Sequence, residues 1–142
     1  MTYYIKQYVR LVWIVALLIL VGGCTSADKQ ALTAEEVVKT RAAERWNALI
    51  EGKLETAYGY ELPDYRKVFT YEQFLRNIHG GGIWQKAEVK NVACTETCVV
   101  TMQIYVTMKL AGFDEPMNAS SMLEEKWMKD EESGDWFHLS SK

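Results

Sequence analysis

The chain reads as an α+β protein, helices first and an antiparallel sheet afterwards. Three observations point there. Apolar residues recur at helical spacing from Ala34 to Ile50; Gly80-Gly81-Gly82 interrupts any regular structure; and beyond the glycines the hydrophobic period changes from 3.6 to 2. A run of helical patterns followed by a run of strands places the helices on one face of an antiparallel sheet.

Each element has a local cause. Thr33 is a helix N-cap, with Glu36 three residues on completing a capping box, and Leu32 and Val37 hold the staple positions around it. Ala34, Val38, Ala42, Trp46, Leu49 and Ile50 then form one apolar face, and Gly52 stops the helix as a left-handed C′ residue. A short second helix is expected around Lys53–Tyr58, followed by a loop through Pro63, with Leu62 pushed toward an extended shape by the proline. Thr70 and Gln73 repeat the capping box, with Phe69 and Phe74 as the staple, and the helix they start stops near His79. The glycine run after His79 reads as a flexible helix-to-strand link or a ligand-approach loop.

Ile83–Ala93 reads as a strand, with Ala87 and Val89 on one face and Lys86, Glu88 and Lys90 on the other. Val100, Met102, Ile104, Val106 and Met108 alternate with Thr101, Gln103, Tyr105, Thr107 and Lys109, the clearest strand pattern in the chain. Ala111–Ala119 is expected to be a loop, and Met122–Lys129 with Asp135–Leu139 a final hairpin around Glu132-Ser133-Gly134.

The N-terminus carries a different kind of signal. An uncharged run of about 13 residues from Leu11 to Gly23 follows the basic pair Lys6 and Arg10, and is too short to cross a bilayer as a helix. With Val21, Gly22, Gly23 and Cys24 at its end it resembles a bacterial lipoprotein signal peptide. That resemblance implies cleavage after residue 23, a lipidated Cys24 anchoring the chain to the membrane, and a tether over residues 24–32. Thr25, where Asp would mark retention, implies the periplasmic face of the outer membrane. A signal peptide cleaved elsewhere, an uncleaved anchor and a coincidental cysteine are the alternatives.

Removal of residues 1–23 leaves about 119 residues, enough for one domain over residues 33–142. Their 14 basic and 19 acidic residues give a net charge of −5, which argues against nucleic-acid partners and against docking on anionic lipid through the protein surface. With Cys24 taken by lipid, Cys94 and Cys98 remain as a pair bracketing the turn between two strands. In an oxidising compartment they read as a structural disulfide. The rival metal site lacks a third ligand, and a redox pair is normally C-x-x-C at a helix start.

The pattern Trp46-x-x-Leu49-x-x-Gly52-x-x-x-x-Ala57-Tyr58-x-Tyr60-x-x-Pro63-x-Tyr65-Arg66, with the Cys-bracketed hairpin, Trp127 and Gly134-Asp135-Trp136, resembles the nuclear-transport-factor-2-like superfamily over about residues 33–139. The resemblance implies a curved sheet wrapped around the long helix as a cone whose mouth holds a small molecule. Trp46 would wedge into it, with Pro63 and Tyr65 at the rim. It also implies dimers in many relatives, and Val99, Tyr105 and the Thr101/Thr107 pair suit that surface.

Candidate pocket residues are Tyr60, Asp64, Tyr65, Glu125 and His138. Tyr58, Trp84, Trp127 and Trp136 add aromatic surface that serves a cavity wall or a core equally. Glu125 shares a strand face with Leu123 and Trp127, so it must be paired or raised in pKa, and Arg45 is the partner in reach. That pair reads first as structural and second as ligand-orienting. No Ser/His/Asp, metal-ligand or phosphate-loop pattern stands out, and no cofactor is implied. The expected function is therefore non-enzymatic: a membrane-anchored adaptor for an envelope protein partner. A carrier or sensor of a small hydrophobic ligand is the alternative, and an isomerase or lyase using Asp64, Tyr60 or His138 the third reading.

Overall fold

A computed structural model describes residues 32–78, 82–109, 111, 112 and 114–140. The leader, Cys24, His79, Gly80 and Gly81 lie outside the described residues. Among the described residues four helices, α1 (Ala34–Ile50), α2 (Leu54–Gly59), α3 (Pro63–Val68) and α4 (Tyr71–Asn77), precede four strands, β1 (Trp84–Cys94), β2 (Thr97–Met108), β3 (Met117–Lys129) and β4 (Trp136–Leu139). The strands form one antiparallel meander in the order β1-β2-β3-β4. The α+β class follows from this order of elements.

Both capping boxes form. Thr33 Oγ1 accepts from the Glu36 amide and Glu36 Oε2 accepts from the Thr33 amide, and Thr70 and Gln73 repeat the exchange. Gly52 has φ 72°, the left-handed conformation that ends α1. Val38, Ala42, Trp46 and Leu49 are buried from α1 against Cys98, Val100, Met102 and Ile104 of β2 and Trp127 of β3. Each fully buried large side chain of this set contributes roughly 1.5–3 kcal/mol.

Pro63 differs from expectation: it opens α3 instead of sitting in a loop. Its missing N–H falls among the first helical amides, which have no intrahelical acceptor, and Leu62 before it is extended as proline requires. The region from Ala111 to Ala119 also differs, because β3 begins at Met117, opposite Met108. Asn118, Ala119, Ser120 and Ser121 show no apolar alternation, yet the long regular edge of β2 pairs with all of them.

Within β1 the simple alternation breaks at Lys90. The register shifts between Val89 and Asn91, as a bulge does, so Val92 and Cys94 return to half-buried positions. On the solvent-facing side, Glu88 accepts from Lys86, Lys90 and Tyr105, and these partners hold its carboxyl at about 2.

Cys94 and Cys98 face one another in the β1–β2 register and are joined by a disulfide. The bond spans a sequence separation of only 4. Replacing both cysteines by alanine should therefore lower unfolding free energy in urea by about 2 kcal/mol, the chain-entropy value for so short a loop.

Candidate functional site

The site is built where an element of the helical half meets the last strand. Tyr60–Leu62 runs alongside β4: the His138 amide donates to the Tyr60 carbonyl (2.8 Å) and the Leu62 amide donates to the His138 carbonyl (3.0 Å). This isolated parallel bridge sets Glu61 beside His138. Arg66 Nε donates to the Glu61 carbonyl at 3.1 Å and fixes the same turn from α3.

Arg45 reaches this point from the buried side of α1, one position before Trp46. Its Nε and Nη2 donate to Glu61 Oε1 at 3.2 and 2.8 Å, and its Nη1 donates to Glu125 Oε1 at 3.0 Å. Trp46 Nε1 donates to the same Glu125 oxygen at 2.9 Å. Glu61 Oε2 accepts from Ser140 Oγ and contacts His138 Nδ1, both at 2.8 Å. An ionised carboxylate only accepts, so Nδ1 carries the proton in this contact. Arg45, Glu61, Glu125 and His138 are 5, 0, 7 and 8 % exposed, so four titratable groups share one water-poor volume.

Burial pushes the Glu61 carboxyl up, but the His138 hydrogen bond and charge, together with Arg45, more than offset it and leave Glu61 below the ordinary carboxylate value. Glu125 is less completely served, since its Oε2 is buried with no hydrogen-bond partner among the described residues. His138 Nε2 lies 3.8 Å from Glu125 Oε1, beyond hydrogen-bond reach. The expected Arg45–Glu125 ion pair is present, but Glu61 is the group on which most of the bonds converge.

Against this cluster lies a cavity of about 680 Å³, within the range of small-molecule sites. Tyr65, Phe69, Phe74 and Ile78 line it with apolar surface from α3, α4 and their flanking residues; Arg45, His138, Ser140 and Asn77 supply polar groups. Tyr65 stacks on Phe69 with centroids 4.7 Å apart, and Tyr58 Oη donates to the Phe69 carbonyl at 2.6 Å, which fixes the aromatic wall.

Two expected pocket residues stand elsewhere. Asp64 is exposed and accepts from Lys67 Nζ at 2.8 Å, as the charge of a surface helix. Tyr60 turns its hydroxyl to Glu44 at 2.9 Å while its ring packs on Trp127, so it does not line the cavity. Burial and the bond to Glu44 raise its phenol. Of the wider aromatic set, Trp127 is core and Trp84 packs edge-on against Trp46, with centroids 5.4 Å apart. Of the candidate pocket residues, the structure brings together Tyr65 and His138 at the cavity, with Glu125 joined to them through Arg45.

Glu61, Ser140, Phe69, Phe74 and Ile78 were not among the residues read as a site. One signal was available: Arg45 lies on the buried stripe of α1, and a buried guanidinium has more donors than Glu125 alone can satisfy. Among the described residues no group of three or more His, Cys, Asp or Glu has the geometry of a metal site; the Arg45 guanidinium already bonds both carboxylates. Comparison with protein-family models, with curated proteins and with solved structures finds no match to this chain.

Two outcomes follow from the cluster. Glu61→Gln should lower unfolding free energy at pH 7 by about 3–5 kcal/mol, because it strips a buried arginine of a charged partner. Because its folded pKa is depressed, Glu61 contributes stability that is present above its ordinary value near 4.5 and lost as pH falls below it. Urea unfolding from pH 7 to pH 3 should thus show a shallower acid limb in Glu61→Gln than in the wild type; superimposable limbs would contradict the assignment.

Proposed function

We propose that this domain binds a small, largely apolar molecule in the cavity beside the Arg45–Glu61–Glu125–His138 cluster, and that it does so as a carrier or sensor held at the membrane by a lipidated Cys24. One observation carries this reading: an aromatic and aliphatic wall meets a few convergent, deeply buried polar groups across a space of about 680 Å³. Such a combination is the usual chemistry of a ligand site, where apolar surface supplies affinity and a few polar atoms set orientation. A cone of the nuclear-transport-factor-2-like kind, with α1 inside a curved sheet, is the architecture this reading prefers.

The reading is of binding without turnover. Tyr60 and Asp64, which an isomerase or lyase would need near His138, have Glu44 and Lys67 as their partners. An adaptor role is the second reading, favoured by the outer edge of β3. Among the described residues Met117–Glu125 pairs only with β2, and Met117 and Met122 are 48 and 56 % exposed. An uncovered strand edge of this kind invites strand addition by a partner chain.

Native mass spectrometry of the lipidated chain, extracted gently from membranes, separates the two. Retained ligand should appear as added mass on the order of a few hundred daltons beyond the acyl groups, fitting a drug-sized cavity. Phe74→Ala, which removes wall surface, should weaken that retention. A chain that always emerges bare, or only with a second protein, would overturn the ligand reading.

A further inference from the structure

The chain treats the two long exposed edges of its sheet differently. On β1, register shifts between Trp84 and Lys86 and between Val89 and Asn91 break the pairing with β2, and Lys86 and Lys90 stand charged along the strand. Bulges and lysines are how proteins keep an edge strand from pairing further. The free part of β3 carries neither. Met117–Glu125 pairs with β2 residue for residue without a shift, and it contains no Lys, Arg or Pro. Since β4 covers only Lys126–Lys129, the outer edge of Met117–Glu125 has no partner among the described residues. From Met117 to Met122 every residue is exposed, so the strand lies open on both faces as well as along its edge. None of these residues lines the cavity, and what pairs here does not depend on whether the cavity holds a ligand.

The residues of the open stretch decide what fits it. Side chains directly opposed in an antiparallel pair lie on the same face of the sheet. When both strands are this one, the register that uses the whole stretch sets Ser121 opposite itself on a two-fold axis. Ala119 then stands opposite Leu123, and Ser120 opposite Met122, a small side chain against each large one. Asn118 meets Glu124, an amide that donates against a carboxylate that accepts. Met117 falls opposite Glu125, whose carboxylate is already bonded inward to Arg45 and Trp46. Like charges directly opposed would destabilise the pair. Here Glu124 and Glu125, the charged residues of the stretch, meet no acid.

We propose that the outer edge of β3 binds a second copy of this chain, strand to strand and antiparallel about Ser121, which joins the two four-stranded sheets edge to edge. Main-chain hydrogen bonds hold the strands together, and the alternation of small against large side chains fixes their register.

Cysteine cross-linking of the full chain in detergent micelles is the test. Opposed residues of an antiparallel pair lie roughly 5 Å apart, within disulfide reach. Ala119 and its copy would be displaced along the strands by about 14 Å, the rise of four residues, and out of reach. Under mild oxidation Ser121→Cys should form disulfide-linked dimer at least about tenfold faster than Ala119→Cys, each read against the wild type. Adding Ala119→Lys to Ser121→Cys sets a charge opposite Leu123 and should lower the rate to that of Ala119→Cys. Equal rates for Ser121→Cys and Ala119→Cys would mean chance collision and would overturn the pairing. A Ser121→Cys chain no more cross-linked than the wild type would overturn the second copy as the occupant of this edge.

Discussion

A nearly buried guanidinium organises this domain. Arg45 is held on the buried stripe of α1 by the same helical spacing that buries Val38, Ala42, Trp46 and Leu49. Its charge is tolerable there only with carboxylates at hydrogen-bond distance. Glu61 supplies one from the segment before α3 and Glu125 supplies the other from β3. Three parts of the chain far apart in sequence are thereby joined at one point. Taking such charges out of water costs several kcal/mol per ion, so the pairing is better understood as enforcing one arrangement than as adding stability.

That arrangement also explains the position of the cavity. The bridge between Tyr60–Leu62 and β4 holds Glu61 against His138, and Leu62 leads straight into Pro63 and α3. Helices α3 and α4 with their flanking residues then bring Tyr65, Phe69 and Phe74 to the cavity that Arg45 and His138 also line. The opposite face of the sheet is a contrast. There Glu88, Lys86, Lys90 and Tyr105 form a partly exposed polar group, and ion pairs in contact with solvent contribute little to stability.

Local signals were legible because their causes are local. The capping boxes at Thr33 and Thr70, the stop at Gly52, the alternation along β2 and the Cys94–Cys98 staple each depend on residues within a few positions of one another. Pro63 was misread because proline suits a first helical turn as well as a loop, and its neighbours show no periodicity. The first half of β3 was missed because Asn118–Ser121 owes its strand conformation to its partner, not to its own composition. Glu125 could be recognised as a buried carboxylate because strand alternation placed it between Leu123 and Trp127. Glu61 could not, since it lies in a short connection where no period assigns a face. Its burial arises from a backbone bridge to a residue 77 positions away.

The most direct measurement of the central claim is the stability of Arg45→Lys. Lysine keeps the positive charge but offers a single ammonium in place of a planar fork, so it cannot bond Glu61 twice and Glu125 at once. If the fork is what joins α1, the Glu61 segment and β3, the variant should lose about 3 kcal/mol or more of unfolding free energy at neutral pH. A change within about 0.5 kcal/mol, the range of ordinary surface substitutions, would show that charge alone suffices and that Arg45 does not organise the fold.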